Sequence, residues 1–132
     1  MATLTPTLTL VSTDAVTDSL SLSVTDSLTV AEPITGISVE MVTTTGGNHI
    51  IGASATAVQY LYVKHTGFQQ DGSTASTDNL DLEITDGSSA FARLAAGEFL
   101  FMPFNHAGAD VGVQLQATAN TIKAEYAVFT KG

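Results

Sequence analysis

The sequence predicts an all-β fold: a single antiparallel β-sandwich or jelly roll of about eight to ten short strands, with an extended strand or hairpin arm over residues 1–32. Three observations predict it. From Leu4 to Val30 the apolar residues fall almost entirely on even positions (Leu4, Leu8, Leu10, Val16, Leu20, Leu22, Val24, Leu28 and Val30), with Thr, Ser and Asp between them. That is the period-two alternation of a strand with one greasy and one hydroxyl-rich face. Similar short alternations recur along the rest of the chain, punctuated by turn residues about every 8 to 12 positions. No run of about a dozen residues carries a 3.6-residue period with caps, so helix is not expected.

Val-Thr-Asp-Ser-Leu occurs twice, at 16–20 and 24–28. A solenoid needs at least about three such units, so a hairpin accounts for the pair more simply. With its turn near Asp26, that hairpin keeps Leu20, Leu22 and Val24 on the same face as Leu28 and Val30. Pro33 has no N–H for a ladder and ends the strand. A new alternation places Ile37, Val39 and Met41 on one face and Ser38 and Glu40 on the other. Thr43 to Asn48, with Gly46-Gly47, reads as a hairpin or exposed loop tip.

Ala57 to Lys64 is aromatic and β-branched, the composition of a central strand covered on both faces. Gly67 to Asn79 is polar and reads as an exposed, mobile loop. Leu80, Leu82 and Ile84 alternate with Asp81 and Glu83 in a half-exposed strand that ends at Asp86-Gly87. Ala90 to Leu94 is a short strand, and Ala95-Ala96-Gly97 is a turn. Phe99, Leu100, Phe101, Met102 and Phe104 form the densest apolar cluster, suited to the heart of the core or to a subunit interface. Two alternations close the chain, Val111 to Ala117 and Ile122 to Val128, with a turn at Ala119-Asn120.

A chain of 132 residues suits one core and one domain spanning 1–132. Only 13% of residues are charged, against about 25% in an average domain. Such a surface protects poorly against edge-to-edge pairing, which favours an oligomer or larger assembly. Four Lys and Arg stand against 13 Asp and Glu, for a net charge of −9, and no basic residue precedes Lys64. Lys64, Arg93, Lys123 and Lys131 cannot build a phosphate-binding footprint, so neither nucleic acid nor an anionic membrane is an expected partner. Cysteine is absent, which removes disulfides and thiolate chemistry. No window approaches the roughly 20 apolar residues of a membrane span, and no classical export signal is expected.

Candidate chemistry is sparse. Asp71, Asp78, Asn79 and Asp81 offer oxygen ligands for Ca²⁺, but their spacing matches no known calcium loop, and a solvated acidic loop is the simpler reading. His49, His65 and His106 are scattered. No Gly-x-Ser-x-Gly elbow or Gly-x-x-x-x-Gly-Lys loop is present. Glu83 and Glu98 are the nearest thing to a glycosidase pair, one that any acidic protein supplies. The expectation is a non-enzyme with no catalytic residue, cofactor or metal.

The order of segments carries a resemblance. Val-Gln-Tyr-Leu-Tyr-Val-Lys-His-Thr-Gly (58–67) precedes the polar loop and Leu-Asp-Leu-Glu-Ile (80–84). Arg-Leu-Ala-Ala-Gly-Glu-Phe-Leu-Phe-Met-Pro-Phe (93–104) follows, and Ile-Lys-Ala-Glu-Tyr-Ala-Val-Phe-Thr-Lys (122–131) closes the chain. This order resembles small all-β virion proteins of tailed bacteriophages, of the capsid decoration or cement type. The Gly97-Glu98 turn leading into an aromatic strand is its most distinctive part.

The resemblance implies a homotrimer on the outer capsid surface that clamps neighbouring major capsid protein subunits. It also implies that the N-terminal segment is an arm toward the capsid or a neighbouring copy. Leu4, Leu8, Leu10, Phe99 and Phe101 are then the expected partner-binding residues, with much of the even face buried against another chain. The alternatives are a receptor- or carbohydrate-binding module of a fibre or tail, using the loops 43–48 and 67–79, or another tail or baseplate structural protein. Phe68 is the only aromatic residue in those loops and the chain has no Trp, which disfavours sugar stacking.

Overall fold

A computed structural model describes residues 1–31, 34, 36–51, 59–84, 89–104 and 112–132. Pro33, Ala57, Val58, Asp86, Gly87, His106 and Val111 lie outside the described residues.

The alternation from Leu4 to Val30 folds back on itself as a two-stranded ribbon. Strands β1 (Ala2–Leu4) and β4 (Leu28–Val30) pair antiparallel, as do β2 (Thr7–Ser12) and β3 (Leu20–Thr25). Both pairs share one unbroken register, with Ala2 opposite Val30, Leu4 opposite Leu28, Leu8 opposite Val24 and Ser12 opposite Leu20. Between them Pro6 lacks an N–H, yet its carbonyl accepts from Asp26 N–H at 3.1 Å, so the register holds. Even residues face even residues throughout, which gathers the Leu and Val side chains on one face except for Val11, which lies on the other face opposite Ser21.

The hairpin turn lies at 13–19 and not near Asp26. Folding there pairs 2–12 with 20–30, whereas a turn at Asp26 would leave Leu4, Leu8 and Leu10 without a strand partner. Ser12 Oγ opens the turn by accepting from the N–H groups of Asp14 and Ala15 at 3.3 and 2.9 Å. The first Val-Thr-Asp-Ser-Leu copy thus runs from the turn into β3, and the second crosses from β3 into β4.

The remaining eight strands form a β-sandwich. They are β5 (Ser38–Val42), β6 (Asn48–Ile51), β7 (Gln59–Gln69), β8 (Leu80–Ile84), β9 (Ala90–Leu94), β10 (Phe99–Phe104), β11 (Val113–Ala117) and β12 (Ile122–Thr130). One sheet has the order β10-β7-β12-β5 and the other β6-β11-β8-β9, all antiparallel. Among these strands only β8 and β9 are consecutive neighbours in one sheet. Thr43 to Asn48 is accordingly a crossing between sheets and not a hairpin. Asn48 holds it, its Oδ1 accepting from Thr43 N–H at 3.0 Å and its Nδ2 donating to Glu40 at 3.0 Å.

Alternate side chains from both sheets meet in one core that includes Val42, Leu61, Val63, Leu80, Leu82, Val113, Leu115 and Ile122. Strand β8 is more covered than its alternation implies, because Asp81 is buried too. Its carboxylate pairs with Arg93 Nε and Nη2 across the β8–β9 ladder at 2.6 and 2.7 Å. Strand β10 divides its aromatic cluster: Leu100, Met102 and Phe104 turn to the core, while Phe99 is exposed.

The segment expected as a free loop is extensively bonded. Strand β7 runs on to Gln69, Phe68 bridges Ala75, and Ser76 is buried. Asp71 folds its own turn by accepting from Ser73 and Thr74 N–H groups and from the Thr74 hydroxyl. Those bonds hold its carboxyl well below the usual range, with the Thr74 hydroxyl contributing most. Asp78 is lowered as well, chiefly because it accepts from the Asn120 side-chain amide and backbone N–H. Fully buried His65 fixes the other side of the segment. Gly67 N–H donates to Nδ1 at 3.0 Å, so the proton sits on Nε2, which donates to the Asp78 carbonyl at 3.1 Å.

Candidate partner-binding surface

Core residues Leu61 and Val63 on β7, and Ile122 and Ala124 on β12, set the phase of the β10-β7-β12-β5 sheet. By alternation its outer face carries Phe99, Phe101 and Pro103 from β10, Tyr60, Tyr62 and Lys64 from β7, and Lys123, Glu125 and Ala127 from β12. Ladder register aligns them in rows: Phe99 beside Lys64 beside Glu125 beside Val39, then Phe101 beside Tyr62 beside Ala127. Partial burial, with Glu125 adding to it, pushes the Tyr62 hydroxyl above its ordinary pKa.

The base of the ribbon reaches this face. Val30 bridges Lys131, Ala31 N–H donates to the Thr130 carbonyl at 2.8 Å, and Gly132 N–H donates to the Thr29 carbonyl at 2.9 Å. Gly132 approaches so closely that a Cβ there would sit 3.1 Å from the Val30 backbone. Val30, Tyr60 and Ala127 are buried yet stand outside the main core cluster.

Beyond that base the ribbon and β10 diverge around a groove of about 770 Å³. Leu8, Val24 and Leu28 line it from the ribbon, and Phe99, Phe101 and Pro103 from β10. Of the expected partner-binding residues, Leu8, Phe99 and Phe101 therefore come together. Leu4 and Leu10 share the ribbon's even face without lining the groove. Leu4 is half-buried near the base, and Leu10 lies toward the tip.

The middle of the ribbon's even face is open to solvent, Leu8 being 50% exposed and Leu10 42%, and so is Phe99 across the groove, whereas Leu4, Leu20 and Leu28 are half-buried and Val30 is buried. Leu22 and Val24 belong to the same surface, opposite Leu10 and Leu8. Their even spacing puts them on that face, although they are not among the partner-binding residues expected from the sequence. The even spacing that marked Leu8 and Leu10 marks them equally. Compared with protein-family models, with curated proteins and with solved structures, the chain matches none.

The groups weighed for chemistry are engaged elsewhere. Asp71, Asp78 and Asp81 serve a turn, a loop clamp and an ion pair, as described. Among the described residues no three His, Asp or Glu side chains gather to hold a metal ion. Glu83 accepts from Gln114 on β11 at 2.9 Å, whereas Glu98 caps the turn before β10 by accepting from Ala95 N–H at 2.8 Å. They belong to different sheets and do not pair. Among the described residues no helix is long and apolar enough to cross a membrane. In the loops considered for receptor or sugar binding, Phe68 is exposed, while Thr43, Asn48 and Asp71 are occupied in local hydrogen bonds.

Proposed function

We propose that this chain is a non-enzymatic structural protein of a tailed-bacteriophage virion that decorates and stabilises the capsid. It sits on the outer capsid surface, binds major capsid protein subunits, and associates with itself as a homotrimer. The observation that carries this reading is the uncovered apolar face of the ribbon, continuous with the groove beside Phe99 and Phe101. Neighbouring exposed apolar side chains on a chain with few charges support a protein-contact reading. The attachment role and the identity of the partner rest on the sequence resemblance.

The strand order adds fold-level support. Counted within the sandwich, one sheet takes strands one, eight, three and six and the other takes two, seven, four and five. That wrapping supports a jelly roll, an architecture shared by viral capsid and lectin domains and cupins. This is analogy of architecture and carries no activity with it.

Co-sedimentation of the purified chain with expanded phage heads tests the proposal. The chain is expected to pellet with heads and to raise their resistance to heat. A protein that neither pellets with heads nor changes their thermal disruption overturns the reading.

A further inference from the structure

One titratable side chain is shut inside the sandwich. His65 is fully buried on β7, in phase with the core residues Leu61 and Val63, and register places Ala124 of β12 beside it. Its backbone N–H donates to the Glu98 carbonyl at 2.9 Å and its carbonyl accepts from Gly97 N–H at 3.1 Å, which ties β7 to the turn before β10.

Both ring nitrogens are committed. The Nδ1 lone pair accepts from Gly67 N–H and the Nε2 proton goes to the Asp78 carbonyl, so one imidazole holds both ends of the polar segment. Between those ends Ser76 N–H donates to the Gly67 carbonyl at 2.8 Å, Gln69 N–H to the Thr74 carbonyl at 2.8 Å, and Asp78 N–H to Ser76 Oγ at 3.2 Å.

A second proton can enter the ring only at Nδ1. Imidazolium has two donors and no acceptor, so that proton displaces the Gly67 bond and puts a charge into the interior. The closed segment has no place for it. Once the segment opens, the imidazole meets water and takes the proton near the ordinary value of about 6.5.

The charged groups nearby do not provide another partner. Asp78 favours a charged ring, but its carboxylate is taken up by the Asn120 side-chain amide and backbone N–H. Glu98 turns its carboxylate to Ala95 N–H, Asp71 folds its own turn, and Asp81 is paired with Arg93. By alternation Lys64, Lys123 and Glu125 stand on the outer sheet face, away from the ring.

We propose that His65 is a pH-sensitive latch: uptake of one proton at Nδ1 releases the segment 67–79 while the two sheets stay paired. The latch does not depend on what the chain binds. The opened form holds one more proton than the closed form, so opening is favoured as pH falls through about 6.5 and is unaffected well above it. Asp71 and Asp78 hold their carboxyls below the ordinary range and keep their charge across that window.

Amide exchange of the full chain, corrected for the intrinsic rate at each pH, reads the opening. From about pH 8 to pH 5, protection is expected to fall about tenfold at Gly67, Gln69 and Ser76, and to hold within about twofold at Leu82. His65→Gln supplies an oxygen for Gly67 N–H and an N–H for the Asp78 carbonyl without titrating. It is expected to stay closed across the range, and because it keeps the other two histidines, any effect of theirs persists in it.

Nitrogen chemical shifts of the His65 ring in the unaltered protein follow the same transition without a substitution. The doubly protonated ring is expected to appear in step with the loss of protection. Protection that stays flat from about pH 8 to pH 5 overturns the inference. So does a doubly protonated ring in a segment still protected, or a His65→Gln chain with the pH dependence of the original.

Discussion

Replacing Leu10 and Leu22 together with serine separates a contact surface from a core. The two side chains sit directly opposite each other on the ribbon, 42% and 40% exposed, and neither belongs to the sandwich core. Fully burying a leucine is worth about 1.5 to 3 kcal/mol, so the part of each still facing water is worth about 1 kcal/mol when a partner covers it. The pair then contributes about 2 kcal/mol to binding, or about 30-fold in affinity.

Sandwich stability should change by less than about 0.5 kcal/mol, because no core atom is removed. Denaturant unfolding followed by tyrosine fluorescence reads the first quantity, and co-sedimentation with heads reads the second. Unchanged head binding refutes the reasoning, as does a loss of sandwich stability above about 2 kcal/mol, which would make the ribbon part of the core.

Three further outcomes follow from the same packing. Leu115→Ala, at a fully buried position, should cost about 2 to 5 kcal/mol in denaturant unfolding. Asp71→Asn should lower the thermal midpoint at neutral pH, and the gap from the unaltered protein should narrow steadily on acidification below about pH 4. The sign follows from the lowered carboxyl of the folded state: its stabilisation is full above the ordinary carboxylate pKa and disappears as the folded group takes up its proton. His65→Leu leaves Gly67 N–H without its acceptor, at a cost of about 1 to 3 kcal/mol. Amide exchange is expected to accelerate at Gly67 and across 67–79 more than at Leu82.

The all-β class was legible because period-two alternation is a local property, and β5, β8, β11 and β12 fall where their alternations do. The turn at 13–19 was not legible. A hairpin centred on Asp26 and one centred on Val16 both set even residues against even residues, so the pattern fits either. What separates them is the number of strand residues paired, a property of the whole ribbon.

Burial of Asp81 was hidden because its partner Arg93 lies across a ladder, in a strand whose register the sequence does not print. The polar run 67–79 concealed its order for a related reason: His65, Asp78 and Asn120 are brought together only by the two sheets. The candidate surface was half legible. Even spacing marked the ribbon's greasy face and the aromatic cluster marked β10, but their meeting around one groove depends on the ribbon base joining β12 at Val30 and Lys131.

Direct imaging of a virion carrying the chain, at a resolution that traces strands, tests attachment through the ribbon most directly. The account predicts density for this sandwich on the outer head surface, with Leu8, Leu10, Leu22 and Val24 covered by another polypeptide. A sandwich located elsewhere on the particle, or a ribbon whose even face stays open to solvent, would contradict it.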